Sequence, residues 1–300
     1  MSRSFVDRIE SAPPLAGLSV AVLAVSTSAI LIRWSAAPSI VAAFYRVLLT
    51  TLLLAPVAWW RQRSAFRRLA WRDLAGGALA GVALAIHFAA WFESLAWTSV
   101  AASVTLVQSQ PLFVAAAAPL LLDERVGPRT VAGIVVAVAG IAGMSAADLL
   151  GVGVLGPNPL YGNALALLGA LAMAGYVLAG RSIRQRLALL PYVIVVYTVA
   201  SMTLLVLLGL QGAPLVAYPP REWLLFLGMA VGPGVFGHTV VNWALGHLES
   251  SVVSASLLGE PLGSTVLALV LLGEIPGVAT VVGGVVVLIG IVVTARARQQ

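Results

Sequence analysis

His87, Glu93, Gln108 and Gln110 stand within AIHFAAWFESLAWTSVAASVTLVQSQP (residues 85–111), a stretch apolar enough to live in hydrocarbon. His238, Asn242 and Glu260 have similar surroundings farther along the chain, and Arg46 has them nearer its start. A polar group left unpaired in lipid is costly, so each of these must pair with another, line water or meet a ligand. The chemistry on offer is recognition and proton carriage. Glu260 can bind an ammonium, carry a proton or pair with Arg46, and a guanidinium at Arg46 calls for a carboxylate: Glu93, Glu260 or that of a bound amino acid.

Covalent chemistry is poorly served. The chain has no cysteine, and all 17 basic residues other than histidine are arginine, which removes thiolates, Schiff bases and the GxxxxGK[ST] phosphate loop. No Ser-His-Asp ordering, HExxH or paired aspartates occur, and three histidines without neighbouring ligands make no metal site. No catalytic residue, metal or cofactor is therefore expected.

Helical spacing sorts the polar groups. His87, Trp91, Ser94 and Thr98 fall on one stripe, whereas Glu93 lies about 120° around from His87 and points elsewhere. Two readings stand for His87 and His238, a shared cavity or a hydrogen bond to a neighbouring helix. Pro111 and Pro261 lack an N–H and leave the carbonyls of Val107 and Leu257 without their helical donor; they either curve their helices or open backbone toward a cavity. Glu260 shares a stripe with Ser256 and Ser264. The string GPGVFGH (232–238) should interrupt its helix, with Gly232, Pro233 and Gly234 acting as a hinge or a static kink. Tyr45, Trp91 and Tyr176 are candidate aromatic walls, while Trp59, Trp60, Trp71 and Trp97 suit an interfacial belt. Gly77/Gly81 and Gly259/Gly263 are small-residue pairs that let helices approach closely.

The elements that hold these groups are membrane helices. With 60% hydrophobic and 9% charged residues the chain cannot cover a soluble globule, and its apolar runs are twice the length of barrel strands. Ten spans are predicted: 14–33, 39–60, 74–96, 99–121, 129–147, 161–180, 191–210, 223–245, 250–272 and 278–295. All the arginines except Arg33, Arg46 and Arg221 fall on one side of these spans, which predicts both termini in the cytoplasm. This topology accounts for the pI near 10.5, and no nucleic-acid partner is expected. Arg46 sits roughly 10 Å inside span two, at 1.5 Å per residue.

Shifting the sequence by 150 residues lays 95–141 on 245–291 without a gap. Leu95/Leu245, Pro111/Pro261, Glu124/Glu274, Gly127/Gly277, Gly133/Gly283 and Gly140/Gly290 are identical pairs. His238 falls one residue from the repeat position of His87. Two five-helix repeats follow, 14–147 and 161–295. Five is odd, so the second repeat must cross the membrane inverted, and inverted halves are the physical basis of alternating access. Glu124 and Glu274 lie at helix ends and suit loop ordering.

FYR at the start of span two, LAWTSVAAS, Pro111, LDER at 122–125 with Gly133 and Gly140, and the second copy LGEP…LLGE…GG…G resemble the EamA-type transporters of the drug/metabolite transporter superfamily. Within that superfamily the chain is most similar to the YddG-type amino-acid exporters of bacterial inner membranes. The resemblance covers nearly the whole chain and implies an all-α integral membrane protein with ten helices around a central cavity. It also implies a small-molecule substrate, a multi-pass position in a bacterial inner membrane, and function as a monomer or a dimer.

The expectation is a secondary transporter, not an enzyme, that exports small amphipathic metabolites, amino acids including aromatic ones, by alternating access. The expected binding residues are Tyr45, Arg46, His87, Trp91, Ser94, Gln108, Tyr176, His238, Asn242 and Glu260. The competing readings are an exporter of other drugs or metabolites, a passive facilitator or channel, an intramembrane enzyme and a duplicated scaffold.

Overall fold

The computed structural model describes residues 14–121, 127–149, 156–184, 186–244, 246–247, 257 and 259–297. Among these, every regular element is helical, and seven helices are long and apolar enough to cross a membrane, with three shorter apolar ones beside them. The ten are α1 (Pro14–Ser26 and Ser28–Trp34), α2 (Ser39–Phe66), α3 (Trp71–Trp97), α4 (Val100–Val107 and Gln110–Leu121) and α5 (Pro128–Leu149). The second set is α6 (Pro159–Arg184), α7 (Leu189–Gln211), α8 (Pro220–Met229, a π-helical Ala230–Thr239 and Val240–Ala244), α9 (Gly259–Leu272) and α10 (Val278–Ala297). Glu124, Arg125 and Ser256 lie outside the described residues.

Local chemistry sets the ends. Asp73 accepts from the Ala70 N–H at the start of α3, and the Ser99 hydroxyl accepts from the Ala102 N–H at the start of α4. Pro220 opens α8, where a missing N–H costs nothing. Gly212, at φ 66°, closes α7 in the left-handed region. Between elements the apolar side chains divide by partner. Leu84, Phe92, Tyr176, Tyr192 and Leu204 are buried among helices, whereas Leu23, Leu79 and Leu210 remain exposed, as lipid contact requires.

The packing respects an exchange of the first five helices for the second five. α3 lies on α6 as α8 lies on α1; α7 lies on α3 as α2 lies on α8; α4 lies on α6 as α9 lies on α1. The self-paired contacts include α2 with α7, α4 with α9 and α5 with α10. At the last of these the pairing is reciprocal: a Cβ on Gly140 would lie 2.8 Å from the Gly283 carbonyl oxygen, and one on Gly290 would lie 2.6 Å from that of Gly133. These four glycines are two of the identical pairs at the 150-residue shift. Gly81 likewise brings α3 onto the α7 backbone at Val196, and Gly263 brings α9 onto Ser26 of α1.

The two faces carry different clasps. On the arginine-rich face, Arg186 pairs with Asp73 at 3.1 Å. On the opposite face, Glu274 takes Arg33 at 2.8 Å and the Val100 N–H at 2.6 Å, while Glu222 accepts from Ser35 Oγ at 2.5 Å and the Ala36 N–H at 3.0 Å. The loop-ordering role expected of Glu274 is thus visible in its partners.

GPGVFGH was expected to interrupt its helix, and here the structure differs. The segment winds as a π-helix without a break. Pro233 cannot donate to the helix, and the wider winding leaves carbonyls within reach of a neighbour. Thr50 of α2 donates to the Ala230 carbonyl at 3.2 Å, and Arg46 of the same helix reaches that of Pro233 at 3.5 Å. Gly234 is required at this crossing, because a Cβ there would stand 2.2 Å from Thr50 Oγ1.

Candidate functional site

α4 is broken between Val107 and Gln110, immediately before Pro111, and α9 begins immediately before Pro261. The break in α4 and the first turn of α9 present Gln108, Gln110 and Glu260 to one cavity. Together with Val25, His87, Trp91, Val107, Met173, His238, Val241 and Leu257, these residues line a cavity of about 20 Å³. That volume suits a water molecule, whereas metabolite sites run to several hundred Å³. In this conformation the cavity has room for water and none for a metabolite.

Inside this space the polar groups are only partly paired. Gln108 Nε2 donates to Glu260 Oε2 at 2.5 Å, but Gln108 Oε1, Gln110 Oε1, Trp91 Nε1 and His238 Nδ1 are buried without a hydrogen-bond partner. Buried polar atoms are nearly always satisfied, so four orphans among the lining residues of one cavity leave donors and acceptors open to water or to a polar ligand. The Glu260 carboxyl supplies acceptor oxygens, and the Trp91 and His87 rings, stacked at 5.8 Å, supply a flat aromatic wall. His87 is held from behind, its Nδ1–H donating to the Gly169 carbonyl at 2.9 Å. A neutral His87 held this way carries its proton on Nδ1 and leaves Nε2 as an acceptor.

A second space of about 10 Å³ shares His238 with the first and is lined also by Arg46, Val47, Thr50, Phe88, Tyr197 and Gly234. Arg46 was expected to meet a carboxylate, Glu93, Glu260 or a ligand's. Among the described residues it meets neither glutamate. Its Nη1 donates to Ser28 Oγ at 2.7 Å and its guanidinium lies over the Phe88 ring at 4.4 Å and near that of Phe92 at 5.6 Å. Glu93 is engaged instead by Trp97, one turn along its own helix. The aromatic faces supply the negative potential that a carboxylate would have given.

The other expected residues fall outside the cavity lining. Ser94 lies between α3 and α4, bonded to the Trp91 carbonyl and to Ser103 Oγ, each at 2.6 Å. Tyr45 belongs to an aromatic cluster with Trp223 and Phe226, and its hydroxyl donates to the Leu215 carbonyl. Tyr176 and Asn242 meet each other at 2.8 Å, with Tyr197 3.4 Å from the Asn242 amide, in a polar knot that ties α6 and α7 to α8. Ser264, expected beside Glu260, spends its hydroxyl on the Ser26 carbonyl of α1. Gln110 joins the lining as the repeat mate of Glu260, a relation the 150-residue shift already contains. Phe88 and Tyr197 carry no such signal in the sequence.

The description "EamA-like transporter family" matches residues 14–146 and again 160–296. A protein of Archaeoglobus fulgidus named "Uncharacterized transporter" is 25% identical over 262 residues, covering 86% of this chain and 88% of its own. A solved crystal structure superposes with a TM-score of 0.66 at 22% identity, covering 95% of this chain and 98% of the other, a likeness of fold alone.

Proposed function

The chain belongs to the EamA-like transporter family, and from that premise we propose that it exports small amphipathic metabolites, amino acids including aromatic ones first among them, by alternating access through the cavity between Glu260, His87 and His238. The observation that carries this reading is the set of orphan polar atoms on Gln108, Gln110, Trp91 and His238 around one cavity. A flat aromatic wall beside a carboxylate and two amide oxygens supports a substrate with an apolar body and an ammonium group. The exchange symmetry of the packing supports two conformations of similar energy, one open to each face.

Counterflow tests the reading. Proteoliposomes loaded with unlabelled phenylalanine should take up labelled phenylalanine faster than empty ones, because a carrier reorients faster when loaded. Equal rates would leave a channel, and chemical change of the label would leave an enzyme. The bond from Gln108 to Glu260 favours one second reading, in which the carboxyl is a fixed ligand and the protein a facilitator without ion coupling. Uptake with and without an imposed pH gradient separates that from proton coupling.

A further inference from the structure

The two chambers meet at a single imidazole, since His238 lines both. The first chamber holds three acceptors: the unpartnered Oε1 atoms of Gln108 and Gln110 and the carboxylate of Glu260. An ammonium offers three donors. The second chamber holds Arg46, 1% exposed, with hydrogen bonds to Ser28 and the Pro233 carbonyl and no carboxylate among the described residues within ion-pair distance. A guanidinium has five N–H donors, and a buried cation with no carboxylate in direct contact gains from one. Acceptors for a cation and donors for an anion thus line two chambers that share one ring.

The partition is thin and loosely held. The His238 ring lies 6.3 Å from that of His87 and 5.2 Å from that of Phe88, and Arg46 sits 4.4 Å from the centroid of that same phenylalanine. His238 Nδ1 makes no hydrogen bond, so turning the ring breaks none at that atom. The residue is carried on the π-helical segment, whose winding depends on the contacts from Arg46 and Thr50.

We propose that the two chambers are halves of one site for a zwitterion, with the substrate carboxylate at Arg46, its ammonium at Gln108, Gln110 and Glu260, and His238 as the partition that turns aside when both ends bind. The proposal rests on the carrier reading above and narrows it to substrates that carry both charges. It assigns Arg46 as a specificity residue.

The test compares three compounds that share one ring. Proteoliposomes preloaded with labelled L-phenylalanine are placed in unlabelled L-phenylalanine, phenethylamine, which lacks the carboxylate, or 3-phenylpropionate, which lacks the ammonium. Phenylalanine should accelerate exchange at a concentration at least about tenfold lower than either of the others, the loss expected for one charge-assisted contact. In Arg46→Gln the advantage over phenethylamine should shrink to about threefold or less, while the advantage over 3-phenylpropionate persists. Equal acceleration by phenylalanine and phenethylamine in the unaltered protein overturns the carboxylate subsite and leaves the carrier reading standing. Absence of exchange with any of the three overturns both. Should Arg46→Gln fail to reach the membrane, the series in the unaltered protein decides alone.

Discussion

His87 and Glu260 illustrate how far a side chain's role can be read before its neighbours are known. Both were visible as costly groups in apolar helices, and both line the cavity. Arg46 was visible for the same reason, but its partners were not, because a hydroxyl on α1, a carbonyl freed by the π-winding of α8 and two ring faces leave no mark in sequence spacing. Two predictions belong here. His87→Ala removes the bond to Gly169 and the ring stacked on Trp91, so the substrate concentration for half-maximal exchange should rise about tenfold, with a stability loss of about 1 kcal/mol. A lower melting temperature with unchanged half-saturation would make it a packing residue only. Glu260→Gln keeps the hydrogen-bonding shape but cannot ionise. If the carboxyl carries a coupled proton, this variant should lose accumulation driven by a pH gradient and retain exchange, since exchange needs binding and reorientation without net proton movement. A variant that still accumulates substrate against the gradient would assign the carboxyl to binding alone.

At the scale of the helix, apolar length and arginine placement located all ten elements, because a span without water must satisfy its backbone internally and so announces itself. The interruptions were harder. Pro111 and Pro261 mark real breaks or starts, yet GPGVFGH, the most loop-like string in the chain, is continuous π-helix. What keeps it wound comes from α2, through Thr50 and Arg46, and lies 180 or more residues away in sequence. Gly77/Gly81 and Gly259/Gly263 were legible as close approaches, whereas the seam of Gly140 and Gly290 was legible only as a repeat. Gly290→Val tests that seam: its Cβ would fall 2.5 Å from the Ala137 amide nitrogen and 2.6 Å from the Gly133 oxygen, and backbone atoms cannot swing away as a side chain can. The variant should lose about 1–3 kcal/mol of stability. Gly143→Val, where nothing lies within 4 Å, should melt close to the unaltered protein. Equal melting of both variants would remove the seam between α5 and α10 from the account.

For the whole molecule, the charge bias and the odd repeat predict both termini on the cytoplasmic side, and the absence of native cysteine makes this directly testable. Single cysteines at Ser64 and Gln300 should resist an impermeant thiol reagent added outside intact cells, and one at Asn158 should react. Reaction of just one of the first two would break the inverted arrangement. The repeat also predicts a cavity common to both halves, and Gln110 and Glu260, one from each half, line the same one. It could not foretell that the cavity would be closed to about 20 Å³, because inverted halves allow more than one opening and a sequence specifies them all. The central claim is that this cavity opens alternately to each face. Its most direct test is a single cysteine in place of Met173, which lines the cavity on α6, exposed to an impermeant maleimide in right-side-out and in inverted vesicles. Labelling is expected from either side, slowed by saturating substrate in both. Labelling from one side only, unaffected by substrate, would contradict it.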